Sequence, residues 1–362
     1  MDMKATAKKL IEGSVILSDD GRRLYTPDGM GNYPCLWTRD FAYMVEYAGD
    51  LFERKNNILQ CIEYIIERPA SNGWIPDRVD QHGKAYYTAG DDSFPAAPNL
   101  DNGPFLAIAA ETYLDMLPLE EAKKRFRRWK DNLCRGVACI PKNPDFLVYN
   151  PPASPHSPYG FTDCIKKTGL LAMESLLLWR GYRMIARWLN LCQENGAGLY
   201  FERLQRIQNN FSKVFSLPNG MLRAATGCCN QTDIWASCYA VSIGFPLEKG
   251  QKKKIAEYLK DYYDEIIQYG QIRHLPLEEY WEDTFVPVPN GTYQNGAYWA
   301  TPCKWFFDAL KDEFPSLARK TYNDLLGYFE QQGIYECVNG EYKKLDTYVA
   351  SATNAYAISK AF

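Results

Sequence analysis

Histidine is scarce in this chain: three in 362 residues, His82, His156 and His274, none of them spaced to share an ion. That argues against a zinc centre. It also argues against chemistry built on paired imidazoles. No C-x-x-C pair occurs. The 11 cysteines are scattered and odd in number, with Cys228 and Cys229 adjacent. They read as reduced thiols rather than as a disulfide framework or a metal knuckle. No apolar run reaches the length of a membrane span. The stretch Met1 to Lys9 lacks the apolar core and cleavage site of a secretory signal, so a cytoplasmic protein is expected. Neither sign of charge dominates: 41 Lys and Arg face 44 Asp and Glu, a net −3. There is no basic footprint, so neither nucleic acid nor a membrane is an expected partner. No fixed-period repeat and no break in composition divides the chain, and one domain over residues 1–362 is expected.

What is present is a large apolar and aromatic fraction. Hydrophobic residues make up 46% and aromatic residues 14%, including 26 Tyr and 9 Trp. Most of that serves a core; the excess suits a cleft that stacks on flat ligands. Helical periodicity recurs about a dozen times, while strand-like alternation is nearly absent. Helices are predicted over about 4–13, 40–50, 51–68, 99–116, 119–134, 162–179, 181–193, 197–215, 233–243, 252–269, 298–310, 315–331 and 351–361. Residues 86–98 are expected to be irregular. Short connections alternate with long ones rich in Trp, Asp, Asn and Gly, of which 136–159 and 274–294 are the longest. Paired helices arranged in one ring give that alternation, with the long loops gathered on one face.

The long loops should carry the function. They repeat one vocabulary of aromatic ring, carboxylate, amide and glycine. In Trp37-Thr38-Arg39-Asp40 an indole, a guanidinium and a carboxylate stand where a loop turns into a helix. Arg39 and Asp40 can form a charge-assisted pair that shares the hydroxyls of a ligand, with Trp37 as a flat face. The same residues also suit a plain helix start, with Asp40 in the first turn. Trp74 stands near Asp77 and Arg78, which read equally well as a structural ion pair. Asp163 can be a helix cap, Glu336 an exposed carboxylate, and Asp233 reads as a cap.

The ordered set resembles the six-hairpin glycosidases, the (α/α)6 toroid of glucoamylases, trehalases and the mannosylglycerate-hydrolase group. Trp37-Thr38-Arg39-Asp40 is similar to the signature whose Trp, Arg and Asp bind the terminal sugar. Asn99-Leu100-Asp101-Asn102-Gly103-Pro104 resembles the Asp-Gly-Pro element that follows it. Tyr159-Gly160-Phe161-Thr162-Asp163 stands where trehalase-like enzymes carry the general acid. It has Phe161 for the family's Trp and is followed by Cys164-Ile165-Lys166-Lys167 instead of Ser-x-Arg-Trp. Tyr293 to Trp299 resembles the Asn-Gly-Trp element, and Gly333 to Glu341 the segment that carries the general base.

The resemblance implies an all-α (α/α)6 catalytic domain without a cofactor or metal. It would act on an oligosaccharide or small glycoside. It implies Asp163 as acid and Glu336 as base, with Glu341, Glu282 and Asp283 as other candidates. Trp37, Arg39, Asp40, Trp74, Asp77, Asp101, Asn102, Trp281, Glu282, Gln294, Asn295, Trp299 and Glu341 are the expected sugar-binding residues. The implied activity is inverting, exo-acting hydrolysis releasing a terminal hexose, an α-glucoside first. The alternatives are an epimerase, isomerase or polysaccharide lyase on the same toroid, or a sugar-binding relative without catalysis.

Overall fold

The computed structural model describes residues 1–90 and 93–361. Its helices are α1 (Met3–Gly13), α2 (Thr38–Ala48), α3 (Lys55–Ile66), α4 (Asn102–Asp115), α5 (Leu119–Ala138), α6 (Ala172–Leu191), α7 (Ala197–Phe215), α8 (Ile234–Ser242), α9 (Gln251–Asp261), α10 (Tyr263–Ile266), α11 (Cys303–Leu310), α12 (Pro315–Gln332) and α13 (Val349–Ser359). Six of them form a closed inner ring. α2 packs on α4, α4 on α6, α6 on α8, α8 on α11, α11 on α13, and α13 returns to α2. The others lie outside: α1 against α13, α3 and α5 against α4, α7 against α6, and α9 and α12 against α11.

The two rings differ in sequence because they differ in surroundings. Inner helices touch protein on every side, so α13 is buried at each position from Val349 to Ile358. In α8 every residue from Ile234 to Ala240 is buried. Outer helices are amphipathic. α5 buries Ala122, Phe126, Trp129, Leu133 and Val137 at helical spacing and turns its Lys and Arg outward. No helix among the described residues is long and apolar enough to cross a membrane.

The long loops fold into short antiparallel hairpins. Cys35–Trp37 pairs with Arg78–Asp80, which sets Trp37 opposite Arg78. A five-stranded antiparallel sheet joins Ile267–Gln268, Gln271–Ile272, Tyr298–Trp299, Cys337–Asn339 and Tyr342–Lys344 in that order. Glu336 enters this sheet immediately before its fourth strand.

Several expected boundaries move. The predicted helices at 162–179 and 181–193 are one helix, α6, that begins nine residues after Asp163 at Ala172. Asp163 therefore follows a 3-10 turn, Gly160–Thr162, and caps no α-helix. Gly181 is a packing device rather than a break: a Cβ there would stand 3.2 Å from the Val137 side chain and 3.7 Å from Pro104. In the predicted helix at 298–310, Tyr298–Trp299 is a strand and the helix starts at Cys303. The predicted helix at 252–269 is two, α9 and α10, broken at Tyr262, and the chain continues as the strand Ile267–Gln268. Asp233 does cap α8, accepting from the Ala236 N–H at 2.8 Å. Asp91 and Asp92, in the stretch expected to be irregular, lie outside the described residues.

Candidate active site

The start of α2 is pinned to the neighbouring hairpin. The Thr38 N–H donates to the Asp77 carbonyl at 2.9 Å, and its hydroxyl to the Pro76 carbonyl at 2.7 Å. The first turn of α2 then presents Arg39 and Asp40, both buried. Their pairing differs from the one their adjacency suggests. Arg39 Nη1 makes its tight bond to Asp77 Oδ1, at 2.5 Å. Asp40 Oδ2 is 3.8 Å from Arg39 Nε, and Asp163 Oδ2 is 3.7 Å from Arg39 Nη2. Asp77 is wholly buried behind the guanidinium, where it also accepts from Asn99 and Arg78. Burial opposes the charge on Arg39, but Asp77, Asp40, Asp101 and Asp163 around it hold it firmly protonated. The Trp37 ring lies within 5.0 Å of the Arg39 guanidinium carbon and within 4.7 Å of that of Arg78. Two cations thus occupy ring surface that a sugar would otherwise use.

Asp163 is fixed by a buried amide. Gln294 donates to Asp163 Oδ1 at 2.7 Å and to the Gly160 carbonyl at 3.2 Å, and accepts from the Cys164 N–H at 2.9 Å. Every polar atom of that amide is spent on the 160–164 turn, so Gln294 orients the carboxyl and does not reach a ligand. Asp101 Oδ2 secures the same turn by accepting from the Gly160 N–H at 2.7 Å. Gly160 must be glycine, because a Cβ would fall on the Arg39 guanidinium.

Glu336 comes from the other end of the chain and is 2% exposed. That excludes the exposed-carboxylate alternative. Its N–H donates to the carbonyls of Lys344 and Leu345, each at 2.9 Å. The Tyr33 hydroxyl stands 3.3 Å from both carboxyl oxygens, and Lys344 Nζ lies 3.7 Å from Oε2. Tyr348, just before α13, donates to Asp40 Oδ1 at 2.6 Å and ties the last segment of the ring to the first.

Asp40, Asp163, Glu336, Arg39, Trp37, Tyr33, Tyr293, Tyr348 and Lys344 line one pocket of about 210 Å³, with Phe94, Phe161 and Cys164. Typical sites for drug-sized ligands run from about 300 to 1,000 Å³, so this one takes a single ring. No histidine lines it among the described residues. Carboxyls outnumber cations, and burial is the main force on their protons. It pushes Glu336 up to about 7 against the pull of Lys344. It pushes Asp40 up to about 6 against Arg39, and Asp101, beside the pocket, up to about 7. Asp163 is also raised by burial, with Arg39 and the Gln294 amide opposing. The site therefore holds exchangeable protons near neutral pH.

Other expected sugar-binding residues lie elsewhere. Trp74 is buried against His156. Asn102 opens α4 and donates to the Ile75 carbonyl at 3.2 Å. Trp299 is buried in the core, edge-on to Phe161. Trp281 belongs to a satellite apolar cluster, where Asn295 accepts from its N–H at 2.8 Å. Glu282 is exposed and accepts from the Cys229 N–H at 3.1 Å. Asp283 pairs with Lys166 at 2.9 Å. Glu341 is exposed and lines a separate outer groove with Tyr269 and Tyr328. None of these reaches the pocket because their polar or ring surfaces are engaged in loop packing or face solvent. Sequence reasoning missed Tyr33, Lys344 and Tyr348. Tyr33 lies four residues before Trp37 in the same loop and was within reach. Lys344 sits in the second strand of a hairpin whose register no motif announces, and Tyr348 follows it.

No protein-family model matches the chain, and no curated protein matches it. Solved structures do. The GH63 mannosylglycerate hydrolase from Thermus thermophilus, in complex with glucose, superposes with a TM-score of 0.71 at 13% identity, over 99% of this chain and 100% of that one. A rhamnosidase from Klebsiella oxytoca with rhamnose bound gives 0.67 at 12%, over 100% of this chain and 64% of that one. A glucoamylase from Saccharomycopsis fibuligera gives 0.63 at 11%, over 99% and 94%. The chain has the fold of these structures, the six-hairpin (α/α)6 toroid.

Proposed function

We propose that this chain is an inverting, exo-acting glycoside hydrolase that removes a terminal hexose from an oligosaccharide or small glycoside. The observation that carries the reading is the meeting of two buried carboxyls, Asp163 and Glu336, in one single-ring pocket beside Arg39 and Asp40. They come from distant parts of the chain and line the same pocket. Inverting enzymes hold their two carboxyls about 6.5–9.5 Å apart to admit a water, and a pocket lined by both is the arrangement that reading needs. Asp163 is the proposed acid: its carboxyl gives a proton to the glycosidic oxygen as the bond to the anomeric carbon breaks. Glu336 is the proposed base: it takes a proton from the water that attacks the opposite face. Arg39 and Asp40 hold the hydroxyls of the terminal ring. A pocket lined by carboxyls, and by no histidine among the described residues, favours hydrolysis over an epimerase or lyase that works through imidazole. The glucoamylase and the glucose-bound hydrolase among the relatives make an α-glucoside the first substrate to try.

An NMR time course over a panel of disaccharides and aryl glycosides tests this. An α-glycoside should release the β-sugar first; release of the retained anomer overturns the inverting assignment. Asp163→Asn should keep activity on a glycosyl fluoride, whose leaving group needs no proton. Glu336→Gln should lose a factor of about 10²–10⁴ in turnover. Full activity of both variants on a natural glycoside removes these residues from the mechanism.

A further inference from the structure

We propose that Lys344 is a positioning residue for Glu336, fixing its carboxylate towards the pocket and opposing the two aspartates that face it. The inference rests on the hydrolase reading for its meaning and on geometry for its substance. The backbones are locked together first. Glu336 donates its N–H to the Lys344 carbonyl, and the next residue, Cys337, pairs with Lys344 across the hairpin. The Lys344 side chain then turns back over the same pocket. Its ammonium lies 3.7 Å from Glu336 Oε2 and 3.3 Å from the centre of the Tyr293 ring. That ring is itself held against Trp299 at 5.4 Å. The ammonium, on a side chain that stays 29% exposed, thus has a carboxylate and an aromatic face beside it, both of which attract it.

The groups facing Glu336 come from five other parts of the fold. Tyr33 belongs to the loop before α2, Asp40 to α2, Asp163 and Cys164 to the acid-bearing turn, Tyr293 to the loop before the strand Tyr298–Trp299, and Tyr348 to the entry of α13. The hydroxyls of Tyr33, Tyr293 and Tyr348 and the thiols of Cys164 and Cys337 are all raised by burial and stay neutral. Asp40 when ionised, and Asp163 once it has given up its proton, bring negative charge that disfavours an ionised Glu336. Arg39, the other pocket cation, is shared among Asp77, Asp40 and Asp163. Tyr33 stands at the same 3.3 Å from both carboxyl oxygens, beyond the usual hydroxyl distance, and so does not choose between them. Lys344 approaches one oxygen, leaving the other for a water.

The test is a carboxyl-carbon NMR titration of the full chain labelled at glutamate, with the Glu336 signal assigned by its loss in Glu336→Gln. Lys344→Met keeps an apolar stem over Tyr293 and removes the charge. It should move the Glu336 midpoint upward by about 1–3 pH units, the effect of an opposite charge at this range. Lys344→Arg should restore most of the shift, which a merely structural role would not predict. The acidic limb of the kcat/KM profile should move with the midpoint in Lys344→Met, while KM at high pH stays near wild type. An unchanged midpoint in Lys344→Met overturns the proposal, and so does an equal shift in Lys344→Arg. A midpoint that moves as expected in a protein that hydrolyses no glycoside upholds the Lys344–Glu336 coupling and removes the hydrolase reading instead.

Discussion

In the proposed hydrolase, Asp40 is where binding and turnover should separate. It is 3% exposed, yet it lines the pocket and spends only Oδ1 on the Tyr348 hydroxyl. Asn at this position keeps an acceptor for Tyr348 and loses the negative charge that a pair of sugar hydroxyls would meet. Asp40→Asn should weaken binding of substrate and of free monosaccharide by about 1.5–3 kcal/mol, the value of hydrogen bonds to a charged group. The melting temperature should stay within a few degrees, because burial already raises this carboxyl to about 6 and its charge costs the fold energy near neutrality. Calorimetric titration with monosaccharide beside a thermal melt checks both halves. A variant that melts far lower while binding normally makes the residue structural. At this scale the sequence was legible for type and only partly for partner. The Trp37–Asp40 signature lies at the pocket, but the tight partner of Arg39 is Asp77, 38 positions away.

At the scale of elements, glycine is the residue whose meaning depends most on what lies opposite it. Gly103, in the first turn of α4, faces the carbonyl of Gly136 on α5, and a Cβ there would overlap that oxygen. Gly327 lies inside α12 with no atom within 4 Å of where a Cβ would go. Gly103→Ala should therefore destabilise by about 1–3 kcal/mol through overpacking. Gly327→Ala should stabilise by about 0.5–1 kcal/mol, by removing the entropy a helical glycine loses. Denaturant melts of the two variants should move in opposite directions; movement in the same direction refutes the account of the α4–α5 crossing. The same dependence explains what the sequence left illegible. Periodicity located α1, α5, α7 and α12 to within a few residues, because each shows one face to water. It split α6 at Gly181, since that helix is buried at every position from Ala172 to Tyr182 and carries no polar stripe there to mark its continuity. It extended a helix across Tyr298–Trp299, since two-residue strands have no period to detect.

For the whole molecule, the raised carboxyls set how stability follows pH. Glu336 and Asp101 titrate near 7 and Asp40 near 6 in the folded chain, against about 4 when unfolded. The folded state thus binds more protons between about pH 4 and pH 7. The stabilisation from these groups is complete below about pH 4 and is lost as pH rises through 6 to 7. Glu336→Gln removes one such group. Between pH 4.5 and pH 8 it should gain about 2–4 kcal/mol over wild type, from a shift of about 2.5 units. Parallel melts across that range check it; a constant difference between the two proteins contradicts the burial account of Glu336. The ring is closed by a seam in which α13 meets α2, the Val349 N–H donates to the Pro27 carbonyl, and Tyr348 reaches Asp40. Seen from the ribosome, that seam is a completion check. Tyr33, Arg39 and Asp40 are synthesised roughly 300 residues before Glu336, Lys344 and Tyr348 emerge to meet them, a long loop to close. A nascent chain stalled just short of that point carries the helices from α1 to α12 but lacks Glu336, Lys344 and Tyr348, so the pocket lining is complete only once synthesis has passed the seam.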